Sequence, residues 1–144
     1  MMLLTFREKV IWLAAYLEGD GCFASSFYNK PYKYVRLQIK VDATDKDVLE
    51  NMAEILGSIV TNGNLNGSRL GKKPIYNVTV SGAHAISWMM MLYQFMGSRR
   101  KLQIKKAINL WRNTEYKRLR KSSIEENSYY HALVSEGLKL AKTI

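Results

Sequence analysis

Cysteine is nearly absent from this chain: Cys22 is the one thiol in 144 residues. No intrachain disulfide and no multi-thiolate zinc site can form, and the expected setting is reducing and intracellular, not secreted. Histidine is nearly as scarce, and His84 and His131 stand apart from other metal-ligating residues, so neither is assigned to a metal. Long hydrophobic runs are missing too. The apolar opening MMLLTF is broken by Arg7, Glu8 and Lys9, and ISWMMMLYQF is about half the length needed to cross a bilayer. The expectation is no signal peptide, no membrane span and no membrane partner. Acidic residues are in deficit, 12 against 22 Lys and Arg, which leaves a net charge of +10. A neutral small-molecule substrate does not call for that surplus, whereas a polyanion such as nucleic acid does.

What is present fits one domain with one core. Residues 7–18, REKVIWLAAYLE, place Val10, Leu13, Ala14 and Leu17 at helical spacing, and the helix is expected to stop at GDG. From Cys22 to Tyr28 and from Lys33 to Ala43 the period changes to two, which predicts a hairpin. In its second strand Val35, Leu37, Ile39 and Val41 share one face, and Tyr34, Arg36, Gln38, Lys40 and Asp42 share the other. TDKD at 44–47 opens a second helix that ends at Gly57, and strands follow near 58–65 and 74–80, joined by a basic, Gly- and Asn-rich tip. A third helix is expected from Ala83 to Phe95 and a fourth from Ser98, with a polar tail and a last helix over 124–141. The fold class is thus α+β, in the order α-β-β-α-β-β-α-α, with a core over 1–112 and an extension of the same domain over 113–144. Between Arg99 and Lys121 there are ten basic residues and one acidic residue, a concentration that favours nucleic acid over a merely soluble surface. Trp12, Trp88 and Trp111 fall at apolar helical positions and read as packing.

The chemistry centres on Glu18-Gly19-Asp20-Gly21. A helix ends in negative backbone partial charge, so a carboxylate is least welcome there, and such local rule-breaking is enriched at functional sites. Taken alone, EGDG also suits a plain helix stop followed by a turn. A carboxylate aided by backbone carbonyls can hold a hard divalent cation.

The stretch Leu13-Ala14-Ala15-Tyr16-Leu17-Glu18-Gly19-Asp20-Gly21 resembles the nine-residue signature of the LAGLIDADG homing endonucleases. Leu13, Ala14, Asp20 and Gly21 match it, and Leu17, Glu18 and Gly19 are conservative changes. Ala15 stands for a glycine and Tyr16 for an aliphatic residue. The resemblance extends over residues 7–112, because that family's α-β-β-α-β-β-α core has the order derived above. It implies an antiparallel DNA-binding sheet and a site-specific double-strand DNA endonuclease, acting at a long pseudo-palindromic target. With one signature per chain it also implies a homodimer whose signature helices pack together through Leu13, Ala14, Ala15, Leu17 and Glu18. Asp20 and the Gly19 carbonyl would then hold magnesium, or manganese or calcium in the same place. Asp42, with Thr44 as a neighbour, is the candidate for organising water. Arg99 and Lys101 are the candidates for offsetting phosphate charge, and Arg100 for contacting DNA. The base-reading face would comprise Ala24, Ser26, Tyr28, Lys30, Tyr34, Arg36, Gln38, Lys40, Lys73, Ile75, Asn77 and Thr79. The alternatives are a catalytically inactive DNA- or RNA-binding relative, such as an intron maturase or a transcriptional regulator, and a ribonucleoprotein scaffold bound through the fourth helix.

Overall fold

The computed structural model describes residues 3–28, 34–63, 73–113 and 136. Their elements are α1 (Phe6–Asp20), β1 (Gly21–Tyr28), β2 (Tyr34–Ala43), α2 (Lys46–Leu56), β3 (Val60–Asn62), β4 (Tyr76–Ser81), α3 (Ala83–Tyr93) and α4 (Ser98–Arg112). The order is the one periodicity predicts. Residues 64–72 of the expected hairpin tip over 62–73, and the last helix apart from Glu136, lie outside the described residues.

Helix α1 is longer than its apolar stripe suggests. It starts at Phe6 because Thr5 and Glu8 form a capping box: the Glu8 amide donates to the Thr5 hydroxyl (3.3 Å) and the Thr5 amide to the Glu8 carboxylate (2.6 Å). These bonds hold the Glu8 carboxyl below its usual range. At the other end the helix runs through Gly19 and Asp20 instead of stopping before them. Strand β1 leaves directly from that last turn, and a Cβ on Gly21 would lie 2.7 Å from the Leu17 carbonyl oxygen, so only glycine fits the exit.

The four strands form one antiparallel sheet in the order β1-β2-β4-β3. Phe23, Val35, Leu37, Ile39, Val41, Val78 and Val80 point to the buried face, where the helices cover them. Helix α3 is buried on nearly every side, from Ala85 to Leu92, whereas α2 buries one stripe, Leu49, Met52, Ala53, Ile55 and Leu56. Trp88 and Trp111 are core residues, and Trp12 is half-buried against Tyr16, so the packing expectation holds. Among the described residues no helix is long and apolar enough to cross a membrane.

Helix α1 also corrects the expected interface. Leu13 and Leu17 are 0% exposed and Ala14 is 2% exposed, all within the chain's own core. Each leucine stabilises the fold by roughly 1.5–3 kcal/mol through burial, so none is available to a second copy. The stripe left outward is Ile11, Ala15 and Gly19, spaced four apart, with Ile11 43% exposed.

Candidate functional site

Beyond the core, the sheet's other face is built by cross-strand rows. Tyr28 pairs with Tyr34, Ser26 with Arg36, Ala24 with Gln38 and Ser81, Cys22 with Lys40 and Thr79, and Asp42 with Asn77 and Thr61. This is the polar face expected from alternation. Tyr28 and Tyr34 stack with ring centroids 4.9 Å apart, and Arg36 donates to the Ser81 hydroxyl at 2.6 Å. Thr61 and Asn77 hydrogen-bond across β3 and β4. Cys22, Thr61 and Ser81 were absent from the expected face; the first and last follow from extending the same alternation by one step. Lys73 is exposed and Ile75 half-buried just before β4, while Lys30 lies outside the described residues.

The signature carboxylate sits at one end of this face. Asp20 is the last residue of α1, and both it and Gly19 are exposed. A Cβ on Gly19 would meet nothing within 4 Å, so its surroundings are open on the outward stripe. Tyr16, one turn earlier, has its phenol pushed above the usual value, by burial first and then by the negative charges of Asp20 and Asp45. The register pairs Gly21 with Val41, so Asp42 lies one step beyond, level with the end of α1. Asp42 is exposed and pairs with Lys40 at 3.6 Å, an exposed contact that contributes little to stability. It does not cap α2, whose N-cap is Asp45.

The three basic residues at the start of α4 separate by direction. Arg99 is exposed. Lys101 is half-buried, with its Nζ 5.5 Å from the centre of the Tyr93 ring. Arg100 is 6% exposed and turned inward, which corrects its expected role as a DNA contact. Its Nε donates to the Glu18 carbonyl at 3.0 Å, its Nη2 to the Gly19 carbonyl at 3.4 Å and its Nη1 to Gln103 at 2.9 Å. Glu18, expected at the interface, is half-buried, and its carboxylate accepts the Gly97 amide at 3.0 Å.

An all-oxygen donor pair at the negative end of a helix suits a hard cation. Among the described residues no group of three His, Cys, Asp or Glu side chains could complete such a site within one chain. Asp20 and the Gly19 carbonyl therefore fit a divalent ion as part of a ligand set, with the remaining positions left to water, phosphate oxygen or another copy. His84, half-buried in α3, has its imidazole pushed down by burial.

No family model matches the sequence, and no curated protein matches it. Solved structures do. The homing endonuclease I-CvuI in complex with its target superposes with a TM-score of 0.54 at 17% identity, covering 96% of this chain and 80% of that one. This chain has the LAGLIDADG homing-endonuclease fold. The homing endonuclease I-TnaI gives 0.54 at 14% identity, with 98% and 88% covered. The I-LtrWI LAGLIDADG homing endonuclease bound to target DNA gives 0.55 at 19% identity, covering all of this chain but 45% of that longer one. In the LAGLIDADG fold described here, the signature stretch is the C-terminal half of α1, and the polar sheet face opens beside its end.

Proposed function

We propose that the chain is a metal-dependent, site-specific DNA endonuclease that acts as a homodimer on duplex DNA. The observation that carries this reading is the exposed Asp20 carboxylate at the end of α1, set between the basic first turn of α4 and a polar, cationic sheet face. Structures of the same fold were solved on DNA, in the presence of calcium or magnesium, which supports both the partner and the cofactor class. The chain covers most of I-CvuI but less than half of I-LtrWI. That ratio, with the small-residue stripe of Ala15 and Gly19, supports two copies meeting along α1, which brings two Asp20 carboxylates together.

Asp20 and the Gly19 carbonyl would hold the cation, most suitably magnesium, with manganese or calcium able to take its place. When bound, the ion supplies Lewis-acid activation of water and charge stabilisation at the scissile phosphate. Arg99 and Lys101 would offset the charge that builds on the phosphate oxygens during hydrolysis. Asp42, held near Lys40, would orient water by accepting its proton in a hydrogen bond. Arg36, Gln38 and Lys40 would meet base edges and phosphates in the major groove, Arg suiting guanine and Gln adenine, with the stacked tyrosines at the far end of the ribbon.

The test is to select duplex targets from a randomised library and incubate the bound pool with magnesium, beside the Asp20→Asn variant. The expected result is cleavage of both strands by the native chain and tight binding without cleavage by the variant. Tight binding with no cutting by the native chain on any selected target would leave a DNA-binding protein and not a nuclease. Raising salt should weaken binding steeply through counterion release.

A further inference from the structure

The carboxyl end of α1 carries no basic residue in its last turn, although the carbonyls there need donors and a positive charge. The missing cation comes from Arg100, 82 residues further along the chain from Glu18. Burying a guanidinium is costly unless it is hydrogen-bonded, and three of its donors are engaged here: two on the α1 carbonyls and one on Gln103. Its planar group also lies 5.9 Å from the centre of the Phe23 ring. The exchange runs the other way as well. Helix α4 has Gly97 at its N-cap and no side-chain cap of its own, and the Glu18 carboxylate fills that place by accepting the Gly97 amide at 3.0 Å. Gly97 permits this approach, since a Cβ there would come within 2.9 Å of Glu18 Oε1. Each helix thus neutralises the end of the other: anion at the amino end of α4, cation at the carboxyl end of α1.

We infer that Arg100 and Glu18 are positioning residues. Together they lock the Gly19 carbonyl and Asp20 against the first turn of α4, so that the cation ligands and the exposed Arg99 keep one fixed relation. The inference rests on the reading of Asp20 and Gly19 as cation-holding groups. Arg100 holds the Gly19 carbonyl from one side through a long bond of 3.4 Å, which leaves that oxygen a second lone pair for an ion. A lysine at this position keeps the charge but loses the planar fork that spans two carbonyls. A glutamine at position 18 keeps the acceptor oxygen and loses the charge.

Three measurements on the intact chain test this. The first is amide exchange by mass spectrometry over residues 17–22 and 97–102. The second is the midpoint for terbium(III), used as a luminescent stand-in for the divalent ion, on the DNA complex. The third is single-turnover cleavage at saturating DNA. Arg100→Lys is expected to speed exchange in both segments but not in α2. It is also expected to raise the terbium midpoint and to slow cleavage, each by roughly 10-fold to 100-fold as for other residues behind a metal ligand, while DNA affinity in calcium stays within about 2-fold. Glu18→Gln should largely preserve all three and Glu18→Ala should not. If Arg100→Lys fails to fold, Gly97→Ala, which displaces the Glu18 carboxylate without touching Arg100, carries the same expectations. Unchanged exchange would overturn the lock. Faster exchange with an unchanged terbium midpoint and an unchanged cleavage rate would reduce Arg100 to a purely structural role. A native chain that cuts no selected target ends the nuclease reading alone, and a shifted terbium midpoint would then still uphold the positioning role.

Discussion

Two helices of this chain stop in opposite ways. Helix α2 ends on Gly57, which adopts φ 69° and ψ 38° and donates its amide to the Ala53 carbonyl, a local stop that involves no distant residue. Helix α1 ends on an acidic side chain, exits through an extended glycine and takes its cation from another helix. The first ending needs only a left-handed residue. The second leaves the exposed Asp20 and Gly19 under tertiary control, with the Glu18 and Gly19 carbonyls accepting from a buried arginine. A helix end that ignores its local rules while a buried arginine compensates is a mark of function that stability arguments do not explain.

Substitutions can break this contrast. The largest effect is expected for Asp20→Asn, which should cost cleavage roughly a thousandfold, because several kcal/mol of charge stabilisation depend on the held ion. Binding to the same target in calcium should survive, and equal cleavage rates for variant and native chain would remove Asp20 from the chemistry. Next comes Gly19→Leu. Its side chain meets open space in the single chain, so thermal stability of the monomer should change little, whereas sedimentation should show the dimer lost. A dimer that persists would place the seam elsewhere than on the Ile11, Ala15 and Gly19 stripe.

The two helix exits can be set against each other directly. Gly21→Ala drives a Cβ into the Leu17 backbone and should destabilise the fold by about 1–3 kcal/mol. Gly57→Ala forces a left-handed alanine at a cost of about 1–2 kcal/mol. Denaturant unfolding should report both losses, but only the first should also impair cleavage per bound complex. The smallest effect is spectroscopic. Negative charge at Asp20 raises the Tyr16 phenol, so Asp20→Asn, or an ion bound to Asp20, should lower it towards the ordinary value. Ultraviolet titration against a Tyr16→Phe control reads this shift. The sign for stability follows: the neutral phenol is favoured in the fold, so its contribution is full below the unfolded value of about 10 and is lost as pH rises through the raised folded value.

Much of this was legible in the sequence, and the exceptions have physical causes. Alternation places Arg36, Gln38 and Lys40 on one sheet face because a strand has a period of two, and the structure keeps that face. Helix α1 starts at Phe6, one residue before the expected Arg7, because Thr5 and Glu8 form a capping box ahead of an apolar stripe that begins only at Val10. Its faces are harder to separate by letters. The helix has two faces, Val10, Leu13, Ala14 and Leu17 inward and Ile11, Ala15 and Gly19 outward, and the signature runs across both, so its letters alone group Leu13 and Leu17 with Ala15. Burial separates them. Arg99, Arg100 and Lys101 are equivalent as letters, yet a helix turns about 100° per residue, which sends the middle one inward. Nothing in the sequence states that its partner is a carbonyl at the end of α1, since backbone oxygens carry no residue code.

The cross-bracing of α1 by α4 defines what can be transplanted. The nine residues from Leu13 to Gly21 look like a portable cassette, but the arginine that finishes them travels at the far end of the core. A graft of the signature alone would arrive with its Glu18 and Gly19 carbonyls short of their donor and its acidic ligand unsupported. The smallest transferable unit is the pair of helix ends, and any redesign that recuts or fuses this chain must move them together.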